Sequence, residues 1–261
     1  MVQEQAVAFI SAGTAGIGLA IARHLRDQGY RCYANDVDPA AVAAFNDEFG
    51  PGSAAVCDVA DPEQVDACLA AVLSATARID LLVNNAGIAG PTAPVEEIGA
   101  EDWQRTIDVN LHSQFYCARR VVPMMKDAGS GCIVNISSNA GLHGFPLRSA
   151  YAASKWAIIG LTKTWAMELG RWNIRVNAIC PGSVRGPRID RVIERDALER
   201  GLDALHIREV YERQASLRTF VDSTDIAVTV GFLASDAGAR ISGQAIAIDG
   251  HTEGLSNWLD A

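Results

Sequence analysis

Short apolar runs recur along the chain, separated by longer stretches in which apolar residues return every three or four positions. The runs lie at 6–11 (AVAFIS), 31–36 (RCYAND), 54–59 (AAVCDV), 80–85 (DLLVNN), 131–137 (GCIVNIS), 174–180 (IRVNAIC) and 245–249 (AIAID). They are nearly continuous where half-exposed strands would alternate, which predicts strands covered on both faces. Helical patterns fall near 17–28, 39–49, 62–76, 102–127, 150–170, 190–213 and 223–233. Pro39 and Pro62 stand where helices begin, and Gly29, Gly129 and Gly170 where they end. Strands alternating with helices in this rhythm need crossover connections. The pattern therefore predicts an α/β fold: a doubly wound parallel seven-stranded sheet with helices on both faces. No linker, repeat or low-complexity tract interrupts 1–261, so a single domain is expected.

Composition narrows the function classes. A chain of 261 residues, 49 % of them hydrophobic, can bury its core without disulfide or metal staples. With 31 acidic and 22 basic side chains the formal charge is −9, which argues against a nucleic-acid or anionic-membrane partner; the partner expected is a small-molecule substrate. There is one local exception: eight of the 22 basic residues fall between Arg185 and Arg218. The opening MVQEQAVAFISAG lacks the basic and long apolar regions of a signal peptide, and no run approaches the ~18 apolar residues of a membrane span. Cys32, Cys57, Cys68, Cys117, Cys132 and Cys180 form no CxxC pair and several sit inside apolar runs. Neither a metal site nor a disulfide framework is expected, and a reducing, cytoplasmic setting is.

Candidate chemistry begins after the first run, at Ser11-Ala12-Gly13-Thr14-Ala15-Gly16-Ile17-Gly18. Small residues there let backbone N–H groups approach a pyrophosphate seated on the positive end of the following helix, as in a Rossmann fold. Asp36 ends the second run 18 residues past Gly18, where a carboxylate can accept both adenosine ribose hydroxyls. It would repel a 2′-phosphate, and no Arg or Lys lies between Ser11 and Gly18 to neutralise one. NAD is therefore expected over NADP. A turn carboxylate ahead of Val37-Asp38-Pro39 is the plainer reading of Asp36. Asp58 and Val59 close the third run, and Asn85, Ala86 and Gly87 follow the fourth. The carboxyl ends of open sheets are where an adenine and ribose lie, although such residues also simply cap strands.

Tyr151 and Lys155 are four apart at the start of a helical pattern, hence on one face and ~6 Å apart in rise. An ammonium so placed favours phenolate; lowering a tyrosine from ~10 to ~7 takes about 4 kcal/mol. Ser138 ends the fifth run and could donate to a carbonyl or alkoxide oxygen. YxxxK alone is equally the start of an exposed amphipathic helix.

Together the pieces resemble a short-chain dehydrogenase/reductase. They are AGTAGIG after the first run, CDV, NNAG, Asn110 in IDVNLHSQF, Ser138 in NISSNAG, YAASK, and Pro181-Gly182 after the sixth run. They stand in order along nearly the whole chain. The resemblance implies a tetrad of Asn110, Ser138, Tyr151 and Lys155 and a hydride exchanged between NAD and a secondary alcohol, ketone or sugar hydroxyl. Tyr151 would be the general acid/base. Lys155 would lower its pKa and hold the nicotinamide ribose, Ser138 would orient the substrate oxygen, and Asn110 would hold a proton-relay water. Three positions depart from the family pattern. Ser11-Ala12 stands for Thr-Gly, and Ala12 tolerates a positive φ poorly, so altered turn dihedrals are expected. Gly186 replaces the threonine that helps hold the carboxamide, leaving that contact to the backbone at Val184. His251 replaces the second glycine of Asp-Gly-Gly, either as a structural residue or as a pH switch or ligand.

Two segments should border the nicotinamide: 139–149, with His143 and Arg148, and the stretch after Pro181, with Arg185, Arg188 and Arg191. Seven acids between 190 and 212 can pair with most arginines of the following helix, whereas Arg185 and Arg188 precede it. One of Arg148, Arg185 and Arg188 is expected to bind an anionic group of the substrate. Two other uses of such a site stay open: an epimerase or dehydratase with tightly held NAD, and a dinucleotide sensor without turnover. The patterns at 102–127 and 150–170 carry small or apolar residues around much of their circumference, and Leu255, Trp258 and Leu259 need cover. A homo-oligomer is expected, and the resemblance implies a tetramer.

Overall fold

The computed structural model describes residues 5–255. Each apolar run holds a strand: β1 (Val7–Ser11), β2 (Arg31–Asp36), β3 (Ala54–Val56), β4 (Leu81–Asn84), β5 (Gly131–Ile136), β6 (Ile174–Pro181) and β7 (Ala245–Ile248). They pair in parallel in the order β3-β2-β1-β4-β5-β6-β7. The helices are α1 (Gly16–Asp27), α2 (Pro39–Phe49), α3 (Pro62–Thr76), α4 (Ala100–Ile107), α5 (Ser113–Ala128), α6 (Ser149–Leu169), α7 (Pro187–Arg200), α8 (Ala204–Arg213) and α9 (Ser223–Ala234).

Alternation along β1 shows how both faces are covered. Val7 and Phe9 pack with Leu69 of α3, Val121 and Met125 of α5 and Leu169 of α6. Ala8 and Ile10 pack with Ile21 and Leu25 of α1, Phe45 of α2 and Val230 of α9. Burying each large apolar side chain this fully contributes roughly 1.5–3 kcal/mol, which is why period-two polarity is absent from these strands. The edge is the exception. β3 is three residues long with Val56 exposed, because the chain turns away at Cys57 to start α3. A third cluster lies off the sheet, where Ile189 and Ile193 of α7 meet Ile207 and Tyr211 of α8.

Two helical patterns divide. The 102–127 stretch becomes α4 and α5 joined by a π turn, Asp108–His112, with Asn110 at its centre. The 190–213 stretch breaks at Gly201, which takes the left-handed φ of 65°, and Asp203 restarts it by accepting the Leu205 N–H at 2.7 Å. Pro39 and Pro62 do open helices, behind the capping carboxylates of Asp38 and Asp61. No helix among the described residues is long and apolar enough to cross a membrane. All six cysteines are unpaired and buried. Since β1 is flanked by β2 on one side and β4 on the other, their connections diverge and leave a crevice at the carboxyl ends.

Candidate active site

That crevice is a cavity of about 520 Å³ running from Asp36 along the β1–α1 turn to Tyr151 and α7. At the turn, Ala12 sits at φ 49° and Gly16 at φ 52°. Ala12 thus holds a left-handed φ although it carries a Cβ, at a cost of about 1 kcal/mol. Ala12→Gly should therefore raise Tm by roughly 1–3 °C in calorimetry, the relief being partly offset by the freer unfolded chain.

The glycines divide by role. A Cβ on Gly16 would meet nothing within 4 Å, and Gly16 borders the cavity. One on Gly13 would stand 2.8 Å from Ala34 Cβ, and one on Gly18 2.5 Å from the Ala12 oxygen, so these two permit close packing. Ala15, the N-cap of α1, offers no side-chain acceptor, which leaves the first N–H groups of the helix for an anion. Ser11 Oγ accepts from the N–H groups of Asn85 and Ala86, each at 3.0 Å, and ties the end of β1 to β4. Asp36 borders the cavity; its Oδ2 accepts from Thr14 Oγ1 at 2.6 Å and its Oδ1 from the Val37 N–H at 2.8 Å. Ile17, Asn85, Gly87, Pro181, Gly182 and Val184 line the cavity too. Ser11, Gly13, Gly18, Asp58, Val59 and Ala86 do not. Asp58 is paired with Arg105 of α4 at 2.9 Å, and Val59 is in the core.

The other half of the cavity is built on β5 and α6. Ser138, just past β5, donates to Asn139 Oδ1 at 3.2 Å and accepts the Ala140 N–H at 3.1 Å. One helical turn brings Tyr151 and Lys155 to the same wall, with Lys155 Nζ 5.6 Å from the Tyr151 ring centre and donating to the Ile136 carbonyl at 2.9 Å. Gly87 sits against Lys155 and Asn110: a Cβ there would lie 3.3 Å from Lys155 Nζ and 3.4 Å from Asn110 Oδ1. The Asn110 amide accepts from the Ile88 N–H at 2.7 Å and donates to the Ile88 carbonyl at 3.1 Å and Ser154 Oγ at 3.0 Å. Its side chain is thus engaged with protein. The π turn at Asp108–His112 interrupts the regular carbonyl ladder around it.

Charge then tunes the phenol. Burial raises the Tyr151 pKa, but the Arg188 guanidinium, then Lys155, the Ser138 hydroxyl and Arg148 outweigh it and bring it down to about 8. Burial pulls Lys155 down to about 8 against the attraction of the Tyr151 phenolate. Spacing in the sequence points to Lys155 as the tuning cation; in space Arg188 contributes more, its Cζ 6.0 Å from the Tyr151 ring centre. Removing it with Arg188→Gln should raise the tyrosine pKa. If Tyr151 is the base, the rising limb of kcat/KM for alcohol oxidation then moves to higher pH, and an unmoved limb contradicts this assignment.

The remaining arginines separate. Arg185, expected to be unpaired, meets Asp222 at 3.1 Å, an exposed pair brought together across 37 residues. Arg148 is buried at the cavity wall. His143 is not brought to this cavity; it borders a separate recess with Phe145, Pro146 and Glu253. The strand-like pairing of Val184 with Val221 uses the Ser183 carbonyl and Arg185 N–H, so the N–H and C=O of Val184 stay outside that ladder. Gly186, at φ 136°, leads straight into Pro187 at the start of α7. His251 takes φ 67°, with Nδ1 2.7 Å from Ser216 Oγ and Nε2 3.5 Å from Glu253, a structural arrangement. Leu255 is buried in the cavity wall of its own chain; Trp258 and Leu259 lie outside the described residues. Tyr211 and Leu255 also line the cavity, and nothing near them in sequence marks them, because α8 and the end of the chain reach the site only through packing.

The chain is similar over nearly its whole length to known dehydrogenases and reductases. The profile of the family described as enoyl-(acyl carrier protein) reductase matches residues 11–252. The D-beta-hydroxybutyrate dehydrogenase of Rhizobium meliloti (strain 1021) is 37 % identical over 250 residues, 93 % of this chain and 96 % of that protein. A crystal structure of NAD+-bound xylitol dehydrogenase superposes with TM-score 0.88 at 31 % identity, covering 94 % of this chain and 98 % of that one. An actinorhodin polyketide ketoreductase with NADPH gives TM-score 0.90 at 30 % identity, covering 99 % and 100 %.

Proposed function

We propose a function from one premise: the chain belongs to the short-chain dehydrogenase/reductase family. As a member it is an oxidoreductase interconverting secondary alcohols and ketones. Our reading goes further: the cofactor is NAD, Tyr151 is the general acid/base, and Lys155, Ser138 and Asn110 complete the site. The observation that carries it is a phenol brought to a pKa of about 8 at one end of a cavity whose other end is bordered by Asp36. The turn fits a dinucleotide, because Gly16 leaves open space beside the cavity and the first turn of α1 has no side-chain cap.

When bound, the nicotinamide supplies the acceptor or donor of a hydride. The rest falls to the chain. In oxidation the Tyr151 phenolate takes the hydroxyl proton; in reduction the phenol returns one to the carbonyl oxygen. With a pKa of about 8, roughly a tenth of the tyrosine is ionised at pH 7, so both forms are available near neutrality. Ser138 donates to the same oxygen, while Lys155 holds positive charge beside the phenolate and would hold the ribose of a bound cofactor. Gly182 cannot carry a side chain, since a Cβ would stand 2.8 Å from Asp249 Cβ; it lets the end of β6 pack closely against the chain after β7. A panel of secondary alcohols, sugars and hydroxy acids, followed at the absorbance of the reduced nicotinamide, tests the reading. The hydroxybutyrate named for the Rhizobium relative is a natural first member. Exposed Phe115 on α5 and Trp156 and Met167 on α6 support association of copies, with a tetramer as our reading.

A further inference from the structure

The cavity that holds Tyr151 reverses the charge of the molecule. Four arginines (Arg148, Arg185, Arg188 and Arg191) and Lys155 border it against one acid, Asp36, at its β2 end, in a protein of net charge −9. The pyrophosphate of a dinucleotide finds its seat at the start of α1, so these cations at the Tyr151 end need another partner. Asp222 answers Arg185.

Arg148 has no such answer. It is 4 % exposed and forms no salt bridge among the described residues. Its Nη2 donates to the Ala89 carbonyl at 2.7 Å and its Nη1 reaches Thr92 Oγ1 at 3.5 Å, while Nε is buried with no acceptor. Most of its five N–H groups are therefore unmatched, although a guanidinium removed from water ordinarily requires an anion and a full set of acceptors. Its Cζ stands 5.3 Å from the centre of the Tyr151 ring and 5.4 Å from that of Phe145. Leu147, immediately before it, is held at φ 63°, a state that a bulky side chain adopts only under constraint and that belongs to the turn delivering Arg148 to the wall. Arg188 faces the same phenol from α7, 6.0 Å from the ring centre, and likewise has no salt bridge among the described residues.

We infer that the substrate carries a carboxylate near its reacting carbon, and that Arg148 and Arg188 bind it beside Tyr151. This rests on the reading of Tyr151 as the catalytic acid/base. Planar guanidinium groups suit a carboxylate because parallel N–H groups meet its two oxygens. The ligand would also bring acidity into a cavity end that has none of its own. Hydroxy and oxo acids are the class this selects; neutral sugars and steroids leave both arginines unanswered.

The test uses the enzyme–NADH complex and two simple acids, butyrate and cyclohexanecarboxylate, each against its own carboxamide. Binding is read by calorimetry. The expected result is that at least one acid binds about tenfold or more tightly over its amide, and that this preference falls below about threefold in Arg188→Gln. Arg148→Lys, which keeps the charge and a donor for Ala89, should lose most of it as well, and a melting curve shows whether the variant is folded. Affinity for NADH should change less than about threefold in both variants. Acid and amide binding equally, neither binding, or a preference that survives both substitutions overturns the inference. So does a large loss of NADH affinity with the acid preference intact, which would assign the arginines to the pyrophosphate. Oxidation of a neutral secondary alcohol that depends on Tyr151 would leave the proposed function standing in each of those cases.

Discussion

Tyr151→Phe should lower kcat by roughly a thousandfold or more in both directions while NADH affinity stays within about threefold. The substitution removes one oxygen and keeps the ring. The faces that Arg148, Arg188 and Lys155 approach at 5.3, 6.0 and 5.6 Å are retained, so the wall should hold its shape. What disappears is the group that exchanges a proton with the substrate oxygen. Ser138 cannot replace it, because a serine hydroxyl is far too weak an acid to give up its proton near neutrality. Stopped-flow turnover together with fluorescence titration of NADH separates the outcomes. Retained turnover would remove Tyr151 from the chemistry; lost NADH binding would mean that the variant had damaged the cofactor site.

Asp36→Asn should raise the ratio of kcat/KM with NADP to that with NAD on the order of a hundredfold, through two effects of the same sign. NAD loses a charged acceptor for its ribose hydroxyls, and NADP loses a like charge facing its 2′-phosphate. Asn can still accept from the Val37 N–H through Oδ1, where the aspartate does so at 2.8 Å, and its NH2 can donate to Thr14 Oγ1, which now donates to Oδ2 at 2.6 Å and can equally accept, so the turn should survive. With no Arg or Lys between Ser11 and Gly18, nothing in the turn itself compensates a 2′-phosphate in the parent protein. Steady-state kinetics with both cofactors measures the ratio. A parent enzyme that already prefers NADP would contradict the role given to Asp36.

Much of the framework was legible in the sequence because it is set by local and periodic signals. Buried runs are apolar throughout, Asp38-Pro39 and Asp61-Pro62 start helices, and the four-residue spacing of Tyr151 and Lys155 survives as one helical turn. Two features broke the pattern for reasons periodicity does not record. The π turn at Asn110 adds a residue to a helical turn without altering the polarity of the sequence, and its amide is claimed by Ile88 and Ser154 from other parts of the chain. Gly201-Leu202-Asp203 did carry a stop and a restart, hidden inside an otherwise regular alternation of charges. Charge pairing was the least legible, since partners are chosen in space. Asp58 goes to Arg105, Arg185 to Asp222, and Arg188 to the face of Tyr151. Ala12 and His251 form a third kind of case. Each occupies a position where the family pattern has glycine, and each adopts a left-handed backbone, at φ 49° and 67°, that its side chain disfavours, so topology prevailed over local preference.

In the proposed function this cavity moves a hydride between a secondary alcohol and NAD, with Tyr151 handling the proton. Its most direct test starts from the secondary alcohol that the NAD-linked panel identifies, deuterated at the carbinol carbon. After incubation with enzyme and NAD, the reduced nicotinamide is isolated and its deuterium measured by mass spectrometry. Deuterium is expected in NADH in proportion to the ketone formed, and essentially none when Tyr151→Phe replaces the parent enzyme. Deuterium confined to the organic product with no net NADH, as an epimerase would leave it, or no transfer despite bound NAD, as a sensor would show, would contradict it.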